Sequence, residues 1–293
     1  MFFDEATLRK LNQLTLVARR VRAGMIKGER RSTKRGTSVE FADYRNYTPG
    51  DDLHRLDWNI YARLDRPFIK LLEEEEDLAV HILLDLSRSM DWGEGETNKL
   101  RYALHIAAAL GSIALSNGDR LTVSTMQSGK MSAQFGPCQG AHNLVYLLSF
   151  LAKLEAGGLT QLDQSLRSYT QEARRAGLAF ILSDLFSPSG ILESVKLLQS
   201  KGYEASILHI LSPDEIDPPL AGDLRLVDIE TGEAEEVSLD GGLREIYRRG
   251  LRTWSENIQK ELRKRGIHYM KLTTDIAWDK VMLYDMRKEG IVK

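Results

Sequence analysis

The feature that most constrains the fold is an apolar run over residues 79–84 that leads directly into the sequence Asp85-Leu86-Ser87-Arg88-Ser89. A run of Val, Ile and Leu with little polar alternation is typical of a strand covered on both faces, as in a parallel sheet. Polar residues that follow such a strand emerge at the carboxyl edge of the sheet, where open α/β folds bind their ligands. Three oxygen-bearing side chains spaced two residues apart favour a hard cation such as Mg²⁺. For this triplet alone, a Ser-rich helix cap is an equally good interpretation.

The apolar spacing downstream of this strand alternates between the periods of helices and strands. Helices are predicted over residues 99–115, 141–153, 160–175 and 189–200, and strands over 121–125, 131–135, 178–184 and 205–211. Strands joined by helices of this length form right-handed crossovers, so we expect an α/β fold with a mostly parallel sheet and helices on both faces. Asp85 and Asp184 end two of these strands and are then expected at the same edge.

The two ends of the chain differ from this alternating core. An amphipathic helix is predicted from residue 5 to about residue 23, and residues 36–66 are turn-rich and aromatic. Downstream, a hairpin (224–228 with 236–239), a long polar helix (242–265), a strand (267–272) and a terminal helix are predicted. The predicted organisation is an N-terminal helix with a turn-rich β extension over 1–77, a core over 78–212, and an extension over 213–293 that completes or flanks the sheet.

Charge and cysteine content narrow the functional classes. The 293 residues include 40 Lys and Arg and 42 Asp and Glu, a formal net charge of -2, so nothing global favours a nucleic-acid partner. The single cysteine, Cys138, excludes an intramolecular disulfide, and the lack of His or Cys clusters argues against structural zinc. The sequence has neither a secretory leader pattern nor an apolar run of about 18 residues. We therefore expect a cytoplasmic protein.

Three separated segments are expected to converge at the carboxyl edge of the sheet: the Asp85-x-Ser87-x-Ser89 triplet, the loop Gly157-Gly158-Leu159-Thr160, and Ser183-Asp184. This layout resembles the von Willebrand factor A domain and its metal-ion-dependent adhesion site. The resemblance implies a von Willebrand A-like, Rossmann-like core that binds Mg²⁺, or Mn²⁺ or Ca²⁺ in its place. It implies that Ser87, Ser89 and Thr160 bind the cation directly, whereas Asp85 and Asp184 act mostly through water or by their charge.

The resemblance also implies that a protein partner offers a carboxylate to the cation. Mg²⁺ dehydrates reluctantly and prefers octahedral oxygen geometry, and neutral hydroxyl ligands leave it attractive to an incoming carboxylate. A site lined only by carboxylates would weaken that attraction. Gln161 stands where the family commonly has an acidic residue.

The upstream segment carries a longer signature. Residues 36–58 read Gly-Thr-Ser-Val-Glu-Phe-Ala-Asp-Tyr-Arg-Asn-Tyr-Thr-Pro-Gly-Asp-Asp-Leu-His-Arg-Leu-Asp-Trp, and Ala62-Arg63 and Lys70 follow. This block resembles the signature of the bacterial and archaeal DUF58 family, which joins it to a von Willebrand A-like domain, and the resemblance covers about residues 20–210. It implies a partnership with MoxR-type AAA+ ATPases and an adaptor or co-chaperone-like role. Many relatives carry transmembrane helices ahead of the block, and this sequence shows none, so a soluble form is expected.

Charged and aromatic side chains are interleaved in this block. The mixture fits either an ion-pair network that fixes the segment in place or a recognition surface, where Tyr, Trp and Arg are enriched. The residues predicted to bind a partner are Asp43, Tyr44, Arg45, Asp51, Asp52, Arg55, Asp57, Trp58 and Arg63.

Two other functional classes compete with a non-enzymatic adaptor. A divalent cation beside acids could serve phosphoester hydrolysis, but the sequence shows no recognisable pair of nucleophile and base and no phosphate-binding loop, so we expect no enzymatic activity. His81 and His209 lie inside predicted strands and are expected in the core. The basic cluster over residues 19–35 suits a nucleic-acid or membrane-surface contact, although a solvated face explains it too.

Overall fold

The computed structural model describes residues 2–18, 39–48, 51, 53, 56–74, 77–172, 174–187, 190–219, 222–230, 232–239 and 241–293. The chain forms two compact units, one of Met1–Met25 with Leu78–Lys293 and the other of Ile26–Asp77. Residues 1–25, which the sequence grouped with the segment up to residue 77, belong to the unit that contains the large sheet.

Strands and helices alternate along most of the chain. The strands are β1 Val39–Asn46, β2 Phe68–Glu74, β3 Ala79–Asp85, β4 Arg120–Gln127, β5 Lys130–Cys138, β6 Leu178–Ser183, β7 Glu204–Leu211, β8 Gly222–Val227, β9 Ala234–Leu239 and β10 His268–Thr273. Within the described residues, the α-helices are α1 Glu5–Leu11, α2 Trp58–Leu64, α3 Lys99–Ser116, α4 Leu144–Leu151, α5 Leu162–Gln171, α6 Leu192–Ser200, α7 Pro213–Ile216 and α8 Gly241–Lys264, followed by short helical segments at Trp278–Lys280, Val281–Asp285 and Met286–Lys288.

Six strands form one sheet in the order β10-β7-β6-β3-β4-β5. All neighbouring strands are parallel except β4 and β5, which are antiparallel. The predicted α/β class with a mostly parallel sheet is therefore confirmed. Leu84 lies opposite Thr125 of β4 and Leu182 of β6, so that Asp85 and Ser183 leave their strands at the same carboxyl edge.

Side chains from alternate positions of β3 enter two separate cores on opposite faces of the sheet. Val80, Ile82 and Leu84 belong to the core that contains side chains of α3 and α4. Leu83 belongs to the other core, which contains side chains of α5, α6 and α8. All 7 residues of β3 are buried, as expected of a strand covered on both faces. Helices flank both faces of the sheet, as predicted.

The N-terminal helix is shorter than the sequence predicted. α1 ends at Leu11, and the predicted continuation toward residue 23 is wrong over residues 12–18, which are not helical. Leu16 instead forms an antiparallel bridge with Val292 near the C-terminus. The apolar residues that continue the helical spacing are thus buried in an extended segment, because pairing with the end of the chain replaces the intrahelical hydrogen bonds.

The unit Ile26–Asp77 contains a two-stranded sheet and a short helix. β1 and β2 are antiparallel, with an irregular register between Phe41 and Asp43. α2 lies between them in the chain and begins at an Asp57 cap. The basic cluster predicted over 19–35 lies outside the described residues.

The C-terminal region adds both a sheet strand and a hairpin. β10 pairs with β7 at one edge of the large sheet, and β8 and β9 form the predicted antiparallel hairpin. α8 spans 24 residues, close to the predicted helix over 242–265. In the described part of the chain, no helix combines the length and hydropathy that a membrane span requires.

Candidate metal centre

Three hydroxyl groups meet at the carboxyl edge of the large sheet. Ser87 Oγ lies 3.1 Å from Ser89 Oγ, and Ser89 Oγ lies 3.3 Å from Thr160 Oγ1. Ser87 and Ser89 follow β3 at a single 3-10 turn, whereas Thr160 comes from the loop before α5. Ser87 and Thr160 are buried, and Ser89 is half-buried. We call these three side chains the hydroxyl cluster. Its hydrogen bonds join two of the three segments that were predicted to converge, the serine triplet and the loop that carries Thr160.

Backbone hydrogen bonds fix the loop before α5 against the segment that follows β3. Gly157 N donates to Leu86 O at 2.7 Å, and Arg88 N donates to Gly158 O at 3.1 Å. Gly158 has a φ of +74°, and a Cβ there would lie 2.3 Å from Ser128 Oγ. Glycine adopts this backbone conformation without strain and leaves room for the close approach. Gly158 therefore allows the loop to bring its threonine to the serines.

The Asp85 carboxylate is buried beside Ser87 and accepts two hydrogen bonds from the protein. Ser87 N donates to Oδ1 at 2.9 Å, and Ser183 Oγ donates to Oδ2 at 2.6 Å. Burial, together with the charge of Asp184, raises the pKa of Asp85 to about 6 despite these donors. Among the described residues, no lysine or arginine forms an ion pair with Asp85. In that part of the chain, its negative charge is therefore not paired with a protein cation.

A buried lysine that sequence reasoning missed neutralises Asp184. Lys99 Nζ lies 2.7 Å from Asp184 Oδ2 and 2.5 Å from Glu215 Oε1. Burial raises the pKa of Glu215, and the Lys99 charge opposes that rise. The helical spacing of Lys99 with Tyr102 and Ala103, both buried, was a signal that this lysine faces the protein interior. Asp184 thus lies at the predicted edge, but its charge is balanced by an ammonium group of the protein.

A second missed residue, Glu230, contacts the hydroxyl cluster from the turn between β8 and β9. Its Oε2 accepts a hydrogen bond from Thr160 N at 2.8 Å, and its Oε1 accepts one from Thr160 Oγ1. The two residues are 70 positions apart. No local sequence pattern predicts that a glutamate in a hairpin turn contacts a threonine in a distant loop.

The spacing of the hydroxyl cluster fits a small octahedral cation. Ligand oxygens at about 2.0–2.1 Å from Mg²⁺ lie about 2.9 Å apart when they subtend a right angle at the metal. The separations of 3.1 Å and 3.3 Å between the hydroxyl oxygens are close to this value. Within the described residues, no group of three or more His, Cys, Asp or Glu side chains is arranged to hold a metal. A cation at this edge would therefore need hydroxyl oxygens as ligands.

Three of the residues predicted to bind a partner, Tyr44, Asp51 and Asp57, have structural contacts within the unit Ile26–Asp77. Asp57 Oδ1 accepts hydrogen bonds from Asn59 N at 2.9 Å and Ile60 N at 3.1 Å, which caps α2, and Tyr44 donates to its Oδ2 at 3.0 Å. Asp51 accepts hydrogen bonds from the backbone and side chain of Thr48. These acids therefore stabilise a helix end and a turn.

The remaining residues of that set fall into two groups. Trp58 and Arg63 lie on α2 with exposed side chains, which leaves them available for contact. Asp43 and Arg45 lie in β1, but their side chains are outside the described part of the structure, as are Asp52 and Arg55 entirely.

The two histidines expected in the core are buried there. His81 and His209 are 4% and 0% exposed, and burial lowers the pKa of each to about 4. His81 is hydrogen-bonded to Tyr169, and His209 to Tyr269. Both side chains act as neutral core residues at neutral pH.

Comparison with known proteins places most of this chain in one family. A family model described as "Protein of unknown function DUF58" matches residues 43–257. "Uncharacterized protein Rv1480" of Mycobacterium tuberculosis and "Uncharacterized protein Mb1516" of Mycobacterium bovis are each 26% identical over 285 residues, which cover 96% of this chain and 89% of each relative.

Solved structures that match this chain are more distant in sequence. BatB from Bacteroides thetaiotaomicron is 16% identical with a TM-score of 0.43, and the match covers 73% of this chain and 98% of that one. An aerotolerance-related membrane protein from Bacteroides fragilis is 17% identical with the same TM-score of 0.43, over 73% of this chain and 96% of that one.

Proposed function

This chain belongs to the DUF58 family, whose function is unknown, and on that premise we propose that it is a non-enzymatic, metal-dependent protein-interaction module. In this proposal the core is von Willebrand A-like, and a divalent cation at the hydroxyl cluster receives a carboxylate from a protein partner. The observation that carries the proposal is the meeting of Ser87, Ser89 and Thr160 at separations close to those of neighbouring octahedral ligands.

The charges around the hydroxyl cluster support a cation there. Asp85 is buried without a lysine or arginine beside it in the described structure, and Glu230 brings a further carboxylate to Thr160. Lys99 balances part of the charge of Asp184 and Glu215. Because buried charges are costly unless they are paired or bind a metal, this excess of carboxylates favours Mg²⁺ or a similar ion.

The roles proposed for the residues follow from their chemistry. Ser87, Ser89 and Thr160 would hold the cation through neutral oxygens, while Asp85 orients Ser87 through its backbone amide and supplies negative charge nearby. The cation would supply an electrophilic centre for a carboxylate, since neutral ligands leave much of its charge unquenched. Asp184 would act at a distance, because Lys99 already occupies its Oδ2.

We propose a MoxR-type AAA+ ATPase as the partner, because the signature block over residues 36–58 resembles that of a family associated with such ATPases. Among the described residues of that block and the segment that follows it, the exposed Trp58 and Arg63 of α2 are best suited to contact the partner, since Trp and Arg are enriched at the energetic centres of interfaces. We propose that this assembly acts in the cytoplasm.

Isothermal titration with Mg²⁺ and Mn²⁺ tests the metal site. Thr160→Val removes one hydroxyl with little change of shape and is expected to weaken Mg²⁺ binding at least tenfold. Thr122→Val is the matched control, because Thr122 is equally buried at 3% exposure but lies within β4. Equal Mg²⁺ affinities in both variants and the unaltered protein would contradict the proposed site.

Affinity capture with Mg²⁺ or with EDTA tests the interaction. Recovery of an AAA+ ATPase with Mg²⁺ and its loss with EDTA or in Ser87→Ala are the expected results. Hydrolysis of a phosphoester by the purified chain, and its loss in Ser87→Ala, would contradict the adaptor function and support a metal-dependent hydrolase.

A further inference from the structure

We propose that Glu230 is an internal ligand of the candidate metal centre and that an acidic partner must displace it in order to bind. This inference rests on the proposed function and adds a way in which binding of the partner is regulated. It is carried by the contact of one carboxylate with both donors of Thr160.

The Glu230 carboxylate contacts both polar hydrogens of Thr160, a proposed ligand of the cation. Oε2 accepts from the backbone amide at 2.8 Å, and Oε1 accepts from the hydroxyl that belongs to the hydroxyl cluster. A hydroxyl that binds a cation directs its proton away from the metal, and a carboxylate oxygen beside it accepts that proton or binds the same cation. One carboxylate therefore fills this side of Thr160.

The turn that carries Glu230 is ordered by its own hydrogen bonds. Glu230 N donates to Asp228 Oδ1 at 2.8 Å, and Asp228 N donates to Glu233 O at 2.8 Å. Gly232 N closes the turn on Asp228 O at 2.9 Å, with Gly232 at a φ of +76° that favours glycine. The carboxylate is thus presented by a formed turn rather than by a side chain on a freely moving loop.

The hairpin is suited to leave the sheet edge. Five of the six residues of β8 are exposed, including Leu226 and Val227, and no residue of β8 is among the described members of either core. Moving it would cost few buried apolar contacts, and segments of this kind open with small free energies. The bonds to Thr160 hold its turn at the sheet edge.

Competition follows from the limited number of donors. The backbone amide of Thr160 donates to Glu230, and a second carboxylate at this position would meet an occupied donor and a like charge. A partner's carboxylate therefore gains access only when Glu230 departs. While Glu230 is bound, weak carboxylate ligands are excluded from the site. Only a partner that makes further contacts with the protein gains enough binding free energy to displace Glu230.

The experiment uses the full chain with Mg²⁺ and glutarate as a small dicarboxylate probe. Glu230→Gln removes the charge and Glu230→Ala removes both acceptors, while Glu235→Gln is the matched control because Glu235 is exposed in β9 of the same hairpin. We expect glutarate to bind the Mg²⁺-loaded Glu230 variants at least tenfold more tightly than the unaltered chain and the control. Hydrogen exchange over residues 222–239 should rise at least tenfold in Glu230→Ala.

The outcomes separate the two proposals. Mg²⁺ binding by the unaltered chain, with equal glutarate affinity and equal hairpin exchange in all four proteins, would overturn the role of Glu230 and leave the metal site standing. Absence of Mg²⁺ binding in the unaltered chain would overturn both proposals.

Discussion

The Lys99 ammonium lies 2.7 Å from the Asp184 carboxylate, at a place where neither side chain reaches solvent. Glu215 of α7 shares the same ammonium at 2.5 Å. The three residues connect the start of α3, the end of β6 and the segment after β7. A buried ion pair adds little net stability as a pair, but loss of one partner leaves an uncompensated charge in a poorly polar environment. This relationship makes Lys99 a structural residue of the sheet edge.

Lys99→Met is expected to lower the free energy of unfolding by about 3–5 kcal/mol, because the Asp184 charge is left buried and unpaired. Urea unfolding followed by circular dichroism measures this change. The control is Lys196→Met, since Lys196 pairs with Glu193 on an exposed helix surface and should lose about 0.5 kcal/mol or less. Equal losses of unfolding free energy in the two variants would show that the buried ion pair matters no more for stability than the exposed one.

The parts of the fold that the sequence predicted well are those encoded by local periodicity. The helical spacing over residues 99–115 corresponds to α3, and the apolar run before Asp85 corresponds to β3. The placement of Asp85 and Asp184 at one edge was also predictable, because the carboxyl ends of parallel strands share one edge of the sheet. The approach of Thr160 to Ser89 was expected only from the family resemblance, because Thr160 lies in the loop before α5 and not at the end of a strand.

The contacts that the sequence did not predict depend on residues far apart in the chain. Lys99 and Asp184 are 85 positions apart, and Thr160 and Glu230 are 70 apart. The N-terminal helix was predicted too long because Leu14 and Leu16 continue a helical spacing while the chain there pairs with its own C-terminus. Tertiary pairing outweighs local propensity in that segment.

His81 is expected to make the protein less stable as the pH falls below neutrality. Its Nε2 donates to Arg175 O at 2.9 Å, and its Nδ1 accepts from Tyr169 at 2.7 Å, so the neutral ring is fully satisfied. Burial lowers its pKa in the folded state from 6.5 to about 4. The unfolded chain therefore binds a proton first, and the stability due to the neutral ring is present above pH 6.5 and lost as the pH falls toward 4.

The measurement compares urea unfolding at two pH values. Between about pH 7 and pH 5.5, His81→Phe should lose about 1 kcal/mol less stability than the unaltered protein, because the phenyl ring cannot take up a proton. The exposed His142 supplies a control, and His142→Gln should follow the unaltered protein. An unchanged pH dependence in His81→Phe would contradict the buried neutral histidine.

Gly158→Ala is expected to destabilise the protein by about 1–3 kcal/mol and to weaken Mg²⁺ binding, because the new Cβ would lie 2.3 Å from Ser128 Oγ at a left-handed backbone position. Gly118→Ala separates the two causes, since Gly118 has a φ of +78° but nothing within 4 Å of the added Cβ. Thermal unfolding measures the loss of stability in each variant, and the difference between the two losses is the cost of the contact with Ser128. Partial recovery of stability in Gly158→Ala with Ser128→Ala would confirm it, and equal costs at both glycines would count against it.

Asp85→Asn is expected to stabilise the metal-free protein at about pH 8 by about 2 kcal/mol, because the pKa of Asp85 is raised to about 6 by burial and by Asp184. A carboxyl whose pKa is higher in the folded state destabilises that state when ionised, and this cost disappears as the pH falls from above 6 toward 3.8. In EDTA the variant should therefore unfold at higher urea concentration than the unaltered protein. Saturating Mg²⁺ should reverse the order, since the cation stabilises the ionised Asp85 and binds the variant weakly. A variant that gains as much stability from Mg²⁺ as the unaltered protein does would show that the buried charge of Asp85 is not directed at a cation.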